Sequence, residues 1–352
     1  MSETLEISSK LKEYEVSFIH NTAKVLKASA NENTFFIADE KVMSLYKGQL
    51  FSFLPKQRAF IVQATENKKT LEFCYKLIKL LIGQNIRKNS CLVAIGGGII
   101  QDITAFISSI LFRGINWYFF PTTLLAQADS CIGGKTSINI GTYKNLLGNF
   151  YPPSKIFIDT KFLGSLPKDA LRSGIGEMLH FYFIAGSRFA DKVAANYDQL
   201  FSDPLALKEY IIASLKIKKA VIERDEFDKN ERNLFNYGHT FGHALETVSN
   251  YKLSHGQAVT IGMDIANYVS LNMGYLSKCD YGEMHHILVK NMPQYDLGKI
   301  DLEKYLAALA RDKKNKGHNL GCILTNGPGA MKRAQLPFDA KLRALLSSYF
   351  KQ

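Results

Sequence analysis

Residues 92–102, LVAIGGGIIQD, decide the fold, because an apolar run ends there in three successive glycines. The run 92–95 is short and apolar, as is typical of a buried strand, and residues 102–111 have helical spacing. Glycines between a strand and a helix let the backbone approach a phosphate closely, and the helix N-terminus attracts its charge. The pattern is not GxGxxG, so it does not imply a Rossmann domain. A plain glycine-rich turn is the alternative.

Strand and helix signals alternate on both sides of this stretch. Further strands are predicted at 34–38, 59–62 and 117–120, and a helix at 70–82. Such alternation indicates an α/β domain with a parallel sheet. Beyond about residue 167 helical spacing predominates, with helices predicted at 170–185, 205–226, 233–248 and 256–273. The sequence therefore predicts an α/β domain at 1–159 and a mainly α-helical domain at 160–352.

The composition is that of a globular protein, since 46% of the 352 residues are hydrophobic and 22% are charged. The formal net charge of +12 favours anionic partners, although it can also serve solubility alone. Lysines and arginines are scattered, and no zinc-finger or RNP motif occurs, so we expect no nucleic-acid partner. Small anionic ligands fit this charge better.

Cysteine usage and hydropathy indicate a protein of the cytoplasm. The five cysteines are odd in number, far apart and without a CxxC pair, which suits a reducing compartment. The N-terminus carries acids early and lacks the apolar core of a signal peptide. The most apolar stretch, 91–120, is interrupted by charged and polar residues, so no membrane association is expected.

A polar, glycine-bearing loop follows the predicted strand at 117–120. It contains Thr122, Thr123 and Asp129, and then Lys135 and Lys144 among glycines. Lysines in such a loop can neutralise a phosphate or a carboxylate. Ordinary surface lysines are the alternative.

Four side chains further on form a candidate metal site. His239 and His243 are four residues apart, which places both imidazoles on one face of a helix. Glu177 and His255 add a carboxylate and a third imidazole. A carboxylate with two imidazoles is a common open site for zinc or a similar divalent ion. The Glu of HExxH is missing, so a zincin protease is not indicated.

A further charged group consists of Lys218, Asp225, Arg232 and Asn236. The first three are seven residues apart, so a continuous helix would place them along one stripe. A solvated charged helix face is the alternative.

Several motifs together resemble 3-dehydroquinate synthase and the related sugar phosphate cyclases. The resemblance extends over residues 36–330 and rests on motifs that follow one another in order: Gly96-Gly-Gly-Ile-Ile-Gln-Asp102, Arg113-Gly114, Pro121-Thr-Thr-Leu-Leu-Ala-Gln-Ala-Asp-Ser130, Gly133-Gly-Lys-Thr136, Lys144-Asn-Leu146, Gly238-His-Thr-Phe-Gly-His-Ala244 and His255-Gly-Gln-Ala-Val259.

The resemblance implies a homodimer whose subunits have an NAD-binding domain, a metal-binding domain and a cleft between them. The implied ligands of Zn²⁺ or Co²⁺ are Glu177, His239 and His255. The implied NAD contacts are Asp39, Glu66, Lys69, Gly97, Gly98, Asp102, Thr122, Thr123, Lys135, Lys144, Phe162 and Ser165. The implied substrate-side residues are Asp129, Lys135, Asn145, Lys218, Arg232, Asn236, His243 and Lys313 or Lys314, with Arg113 reaching the neighbouring subunit's site.

The implied reaction oxidises a sugar phosphate with NAD, eliminates phosphate, returns the hydride and closes a carbocycle by an intramolecular aldol step. Two positions depart from the family pattern. His180 replaces a substrate-side lysine, and Gln257 replaces a glutamate beside a ligand. Because Arg232 suits a substrate carboxylate, we expect a heptulosonate phosphate or a close analogue. The alternatives are a metal-dependent alcohol or glycerol dehydrogenase of the same architecture and a non-catalytic NAD-binding paralogue.

Overall fold

The computed structural model describes residues 3–141, 143–186, 188–203, 205–312 and 314–351. The chain divides into two compact units. The first unit runs to Leu166 and includes Ile222–Phe227, and the second comprises Pro167–Val221 and the described residues from Asp228 onward. The functional division predicted at residue 159 stays a prediction.

The first unit is built on a seven-stranded, mostly parallel sheet with strand order β1-β2-β9-β6-β5-β3-β4. Only β1 joins it antiparallel. A separate hairpin is formed by β7 and β8. The strands are β1 Thr4–Ile7, β2 Tyr14–Phe18, β3 Thr34–Asp39, β4 Ala59–Val62, β5 Cys91–Gly96, β6 Asn116–Pro121, β7 Ile138–Ile140, β8 Tyr143–Leu147 and β9 Lys155–Ile158. The helices are α1 Thr22–Ser29, α2 Glu40–Tyr46, α3 Leu71–Gly83 and α4 Gly98–Ile110.

The central strands are apolar almost throughout, because helices cover a parallel sheet on both faces. In β3 the residues Phe35, Phe36 and Ile37 are all buried, although they point to alternate faces. In β5 the run Leu92–Ile95 is likewise fully buried. The apolar run at 92–95 therefore lies in an interior strand of the sheet, as predicted.

The parallel register brings three strand ends to one edge of the sheet. Ala38 of β3 lies opposite Ile95 of β5, and Gly96 lies opposite Pro121 of β6. The residues that follow these strands therefore emerge side by side, at the carboxyl edge where α/β folds bind ligands.

The second unit is mainly helical, so the fold class predicted from the sequence is confirmed. Its helices are α5 Lys168–Ile184, α6 Phe189–Ala195, α7 Leu207–Arg224, α8 His239–Val248, α9 His255–Asn272, α10 Lys278–Asn291, α11 Leu302–Ala310 and α12 Ala340–Tyr349. The last turn of α7 belongs to the first unit. The antiparallel strands β10 Asn319–Thr325 and β11 Met331–Pro337 were not predicted.

Two local predictions for this unit are wrong. The helix expected at 233–248 begins only at His239, because Gly238 has a φ of +77° and separates it from the 3₁₀ turn Glu231–Asn236. Arg232 lies in that turn, beyond the end of α7. It therefore shares no helical stripe with Lys218.

Glycines let α5, α8 and α9 pack with their backbones almost in contact. A Cβ on Gly256 of α9 would lie 1.8 Å from the Ser173 carbonyl oxygen of α5. A Cβ on Gly262 would lie 2.1 Å from the carbonyl oxygen of Gly238, at the start of α8. Only glycine permits this approach, and it fixes the three helices in one arrangement.

A buried carboxyl group ties α10 and α12 to α9. Asp264 is fully buried and accepts a hydrogen bond from the Tyr349 hydroxyl at 2.7 Å. Its other oxygen lies 2.8 Å from His285 Nδ1, and Tyr281 stacks on that imidazole. The hydrogen bond to Asp264 is the main reason why the pKa of His285 is raised above its ordinary 6.5. Of the described helices, none is long and apolar enough to cross a membrane.

We predict that Gly256→Ala lowers the free energy of unfolding by about 3 kcal/mol, the upper end of overpacking costs. The added methyl group would meet backbone atoms that cannot rotate away. The control is Gly282→Ala on α10, where a Cβ meets nothing within 4 Å and helix propensity should add up to about 1 kcal/mol. Urea denaturation of both variants measures the difference, and equal effects would contradict the packing argument.

We predict that His285→Gln destabilises the fold in a pH-dependent manner. A raised folded-state pKa means that imidazolium stabilises the fold below 6.5, and that this contribution disappears as pH rises through the folded-state pKa. The loss of unfolding free energy should therefore be larger at about pH 5.5 than at about pH 9. The exposed neighbour His286 provides the control variant, His286→Gln, which should show no such trend.

Candidate functional site

Three side chains of the second unit converge on one point. Glu177 comes from the middle of α5, whereas His239 and His255 are the first residues of α8 and α9. Their ligand atoms all lie within 4.8 Å of one another. Glu177 Oε1 lies 3.1 Å from His255 Nε2 and 3.6 Å from His239 Nε2. The carboxylate and the two imidazoles predicted from the sequence are thus brought together.

The start of α9 is fixed by Gln257, one of the two departures from the family pattern. The Ser254 backbone N–H donates to Gln257 Oε1 at 3.3 Å, and the Ser254 hydroxyl donates to it at 2.8 Å. Gln257 Nε2 in turn donates to Asp169 on α5 at 3.3 Å. A glutamate could accept the first two bonds but could not donate the third. The amide therefore links the α9 terminus to α5 beside His255.

Each imidazole of the site is oriented by a hydrogen bond at Nδ1. His239 Nδ1 lies 3.2 Å from the Tyr237 carbonyl oxygen. His255 Nδ1 lies 3.3 Å from Glu246 Oε2. In a neutral imidazole that donates from Nδ1, the Nε2 atom carries a lone pair. Both lone pairs then face Glu177, in the way that outer partners orient metal-binding histidines.

The electrostatics of this group require a cation. Glu177 Oε1 is buried and faces His255 Nε2 at 3.1 Å and His239 Nε2 at 3.6 Å. A proton or a divalent ion can fill the space between this oxygen and the facing lone pairs. The hydrogen bonds to Glu177 and Glu246 accordingly outweigh desolvation and raise the pKa of His255 well above its usual range. Desolvation lowers the pKa of His239 to about 4, so this ring is neutral and available as a ligand. The donor set thus fits a divalent ion with an open coordination position.

Burial raises the pKa of Glu177, but the neighbouring histidines, His239 foremost, outweigh burial and hold that pKa well below its ordinary value. The carboxylate is therefore ionised throughout the neutral range. A buried anion of this kind is stable only with a cationic partner.

His180, the other departure, lies against this group rather than in solvent. Its ring is fully buried, 4.9 Å from the His239 ring and stacked on Tyr237, with Nδ1 3.8 Å from Glu177 Oε2. Desolvation lowers the pKa of His180 to about 4, with smaller effects from nearby charges. The residue is therefore neutral at pH 7, where a lysine would carry a charge.

The other predicted substrate-side residues of this unit differ in burial. Lys218 and Arg232 are buried, and the Lys218 ammonium lies 5.9 Å from the centre of the Phe181 ring. Asn236 donates to the Asn233 carbonyl oxygen at 2.9 Å. His243 is exposed on α8, and its ring lies 5.5 Å from that of His239. Buried cations of this type are rare unless they are paired.

In the first unit, the predicted phosphate-binding turn is shaped for close approach. Helix α4 begins after Gly97 without a capping side chain. A Cβ on Gly97 would lie 2.9 Å from Thr123 Cγ2, whereas a Cβ on Gly98 would meet nothing within 4 Å. The Thr122 N–H donates to the Gly96 carbonyl oxygen at 2.9 Å, which joins the ends of β5 and β6. The first N–H groups of α4 therefore lie at the sheet edge, where a helix N-terminus can bind a phosphate.

Asp39 ends β3 beside this turn. Its carboxyl accepts from the Lys41 N–H and so caps α2. Desolvation raises the pKa of Asp39. An acidic side chain at the end of the neighbouring strand suits the hydroxyl groups of a ribose.

A polar network joins further predicted residues of the first unit. Lys69 Nζ lies 2.7 Å from Asp102 Oδ2 and donates to Asn145 Oδ1 at 2.5 Å. Asn139 donates to Glu66 Oε1 at 2.8 Å and accepts from the Asn145 N–H at 2.9 Å. Burial raises the pKa of Asp102 despite its ion pair with Lys69. The network brings together five residues from three separate stretches of the sequence, 66–69, 102 and 139–145.

The remaining predicted residues occupy various positions. The Phe162 ring is part of the hydrophobic core, and the Ser165 hydroxyl donates to the Phe162 carbonyl oxygen at 2.9 Å. Lys135, before β7, and Lys144, in β8, are exposed, and Asp129 is half-buried in a π-helical turn. Arg113 is exposed, with a φ of +62°. Lys313 lies outside the described residues, and its neighbour Lys314 pairs with Asp312 at 2.8 Å.

Sequence reasoning missed two residues that support the site. Glu246 orients His255, and its position one turn beyond His243 was the available signal. Asn139 organises the polar network of the first unit, although its place in the short strand β7 gave no hint of this. Both act through contacts that only the folded chain creates.

Comparison with known proteins confirms the resemblance inferred from the motifs. A family model described as 3-dehydroquinate synthase N-terminal matches residues 59–173, and one described as 3-dehydroquinate synthase C-terminal matches residues 174–315. The 3-dehydroquinate synthase of Alkaliphilus metalliredigens (strain QYMF) is 33% identical over 313 residues, which cover 87% of either chain.

Two solved structures share the fold. The structure of 2-deoxy-scyllo-inosose synthase complexed with carbaglucose-6-phosphate, NAD⁺ and Co²⁺ has a TM-score of 0.86 and 24% identity, and 99% of both chains is covered. The structure of 2-epi-5-epi-valiolone synthase from Streptomyces hygroscopicus subsp. jinggangensis 5008, with NAD⁺ and Zn²⁺ bound, also has a TM-score of 0.86 and 24% identity. This match covers 98% of the present chain and 99% of the chain of 2-epi-5-epi-valiolone synthase. At this identity both likenesses establish the fold alone.

We predict that His239→Ala removes the tightly bound metal, because one of the three converging ligand atoms is lost. Elemental analysis after gel filtration should find the ion in the parent protein and none in the variant. His286→Gln, an exposed histidine of α10, is the matched control and should keep full metal content. Full occupancy of His239→Ala would contradict the ligand assignment.

Proposed function

Since the chain belongs to the 3-dehydroquinate synthase family, we propose that it is an NAD- and divalent-metal-dependent sugar phosphate cyclase. The observation that carries this proposal is the convergence of Glu177, His239 and His255 around a buried carboxylate oxygen. The solved structures with NAD⁺ and with Co²⁺ or Zn²⁺ support the choice of cofactors.

The two halves of the chain contribute different chemistry. When bound, NAD and the divalent ion supply a reversible hydride acceptor and a Lewis acid. Glu177, His239 and His255 would hold the ion, and Glu246 keeps His255 in the tautomer that a ligand needs. Gly97 and Gly98 would receive the pyrophosphate, with Asp39 at the ribose and the Lys69–Asp102 pair beside the nucleotide.

The proposed substrate is a heptulosonate phosphate or a close analogue. Loss of phosphate leaves an anion that cationic side chains must bind, and Lys135 with Lys313 or Lys314 would do so. The buried Arg232 guanidinium would bind a substrate carboxylate in bidentate fashion, next to Lys218 and Asn236. A neutral polyol would need none of these charges.

The other predicted residues complete this proposal. Asp129, Asn145 and His243 would face the substrate, and Glu66, Thr122, Thr123, Lys144, Phe162 and Ser165 would contact the nucleotide. Phe162 would do so through its backbone, because its ring is buried in the core. We further propose a cytoplasmic homodimer in which Arg113 reaches the site of the partner.

The burial of His180 bears on which substrate the site accepts. A buried, neutral imidazole replaces the charged lysine of the family pattern, and it lies within 3.8 Å of Glu177. The position thus loses one positive charge and the reach of a flexible stem. We infer that the substrate group near His180 is uncharged or bears less negative charge than in the pattern's usual substrate.

The decisive assay uses protein with Co²⁺ or Zn²⁺, a catalytic amount of NAD and a panel of heptulose and ketose phosphates. We predict release of inorganic phosphate in many turnovers without net NADH, because the hydride that is removed is returned.

The Arg232→Lys variant should lose activity mainly on carboxylate-bearing substrates, since lysine cannot pair in bidentate fashion.

Two outcomes would contradict the proposal. Accumulation of NADH in proportion to substrate would identify a dehydrogenase. Binding of NAD and metal without phosphate release across the panel would identify a non-catalytic paralogue. Removal of the metal with a chelator and its restoration provide the control within one preparation.

A further inference from the structure

A second group of ligand side chains adjoins the proposed metal site. His243, Glu246 and His255 each offer a ligand atom, and these atoms lie within 4.8 Å of one another. His243 and Glu246 are one turn apart on α8, and His255 begins α9. We call these three residues the outer site, and Glu177, His239 and His255 the inner site.

His255 belongs to both sites through opposite edges of one ring. Its Nε2 lies 3.1 Å from Glu177 Oε1 of the inner site. Its Nδ1 lies 3.3 Å from Glu246 Oε2 of the outer site. A neutral imidazole has only one nitrogen with a lone pair, so the ring can serve one ion at a time.

The two sites differ in access to solvent. The side chains of Glu177 and His239 are 3% and 14% exposed. The two sites share His255, at 36%, and the outer site adds Glu246 at 13% and His243, which is exposed. A divalent ion arrives with its hydration shell, and a partly exposed site can replace a few waters before a buried one replaces the rest.

The stacking of the histidines provides a short path from one site to the other. The His243 and His255 rings are stacked at 5.6 Å, and the His255 and His239 rings lie 5.3 Å apart. An ion held at the outer site is therefore next to the inner ligands.

We propose that the outer site takes a divalent ion from solvent and transfers it to the inner site by exchange of the His255 nitrogen that binds it. The inference rests on the metal site of the proposed function but not on the reaction. The ring proton of His255 moves the opposite way, from Nε2 beside Glu177 to Nδ1 beside Glu246, and the final complex still contains one ion. The outer site thus governs the rate of metal uptake and release, not the final affinity.

The test mixes metal-free protein with Co²⁺ in a stopped-flow instrument and follows the ligand-field absorption of the bound ion. In His243→Gln the outer site loses one of three ligands, and we expect uptake to be about tenfold slower, comparable to the smaller effects of supporting residues on metal sites. Release to a chelator should slow by the same factor, so that the dissociation constant stays at the parent value. His286→Gln is the matched control and should change neither rate.

A second variant tests the outer site by itself. His239→Ala loses a ligand of the inner site only, so weak and rapid Co²⁺ binding should remain and should disappear in the His239→Ala/His243→Gln double variant. Parent-like uptake by His243→Gln would overturn the proposal. So would a weaker equilibrium affinity with unchanged release, because His243 would then merely stabilise the inner site. Failure of the parent protein to bind Co²⁺ would instead refute the metal site of the proposed function.

Discussion

The structure depends on the near-contact of three helix backbones in the second unit. Gly176 and Gly256 let α5 and α9 approach so closely that any side chain larger than a hydrogen atom would collide with the neighbouring backbone. Gly262 allows the same close approach between α9 and the start of α8. Glu177 and His255 are the direct neighbours of two of these glycines. The packing that stabilises the unit therefore also sets the distances among the ligand atoms, so fold and site have a common cause.

This arrangement places an anion in a dry environment and surrounds it with imidazoles. Burial alone would neutralise Glu177, but His239 and His255 keep it ionised. The cost of a buried charge is offset only if a cation completes the group, which is why a divalent ion suits it. Glu246, Tyr237 and Gln257 support the three side chains indirectly, since each fixes the position of an imidazole or of the helix that carries it.

The first unit positions its predicted ligand-binding residues by the register of a parallel sheet rather than by close helix packing. Its parallel sheet brings Asp39, Gly97 and Thr122 to one edge, because parallel strands in register end together. The polar network of Lys69, Asp102 and Asn139 stabilises the adjoining loops by pairing groups that would be costly to bury alone. The proposed anion-binding edge thus lies in one unit and the proposed cation-binding centre in the other.

The sequence by itself determined the parallel sheet and the helical second half, because alternation and glycine placement are local signals. Histidine spacing indicated a metal site among Glu177, His239, His243 and His255, and only the family resemblance singled out three of them as proposed ligands. The tertiary structure decided what depends on distant neighbours: the break before His239, the turn that removes Arg232 from the helix, the β10–β11 hairpin and the support given by Glu246 and Asn139. It also decided the character of His180. Its identity was visible from the start, but its neutrality follows from burial among aromatic rings, and burial is a property of the packed chain alone.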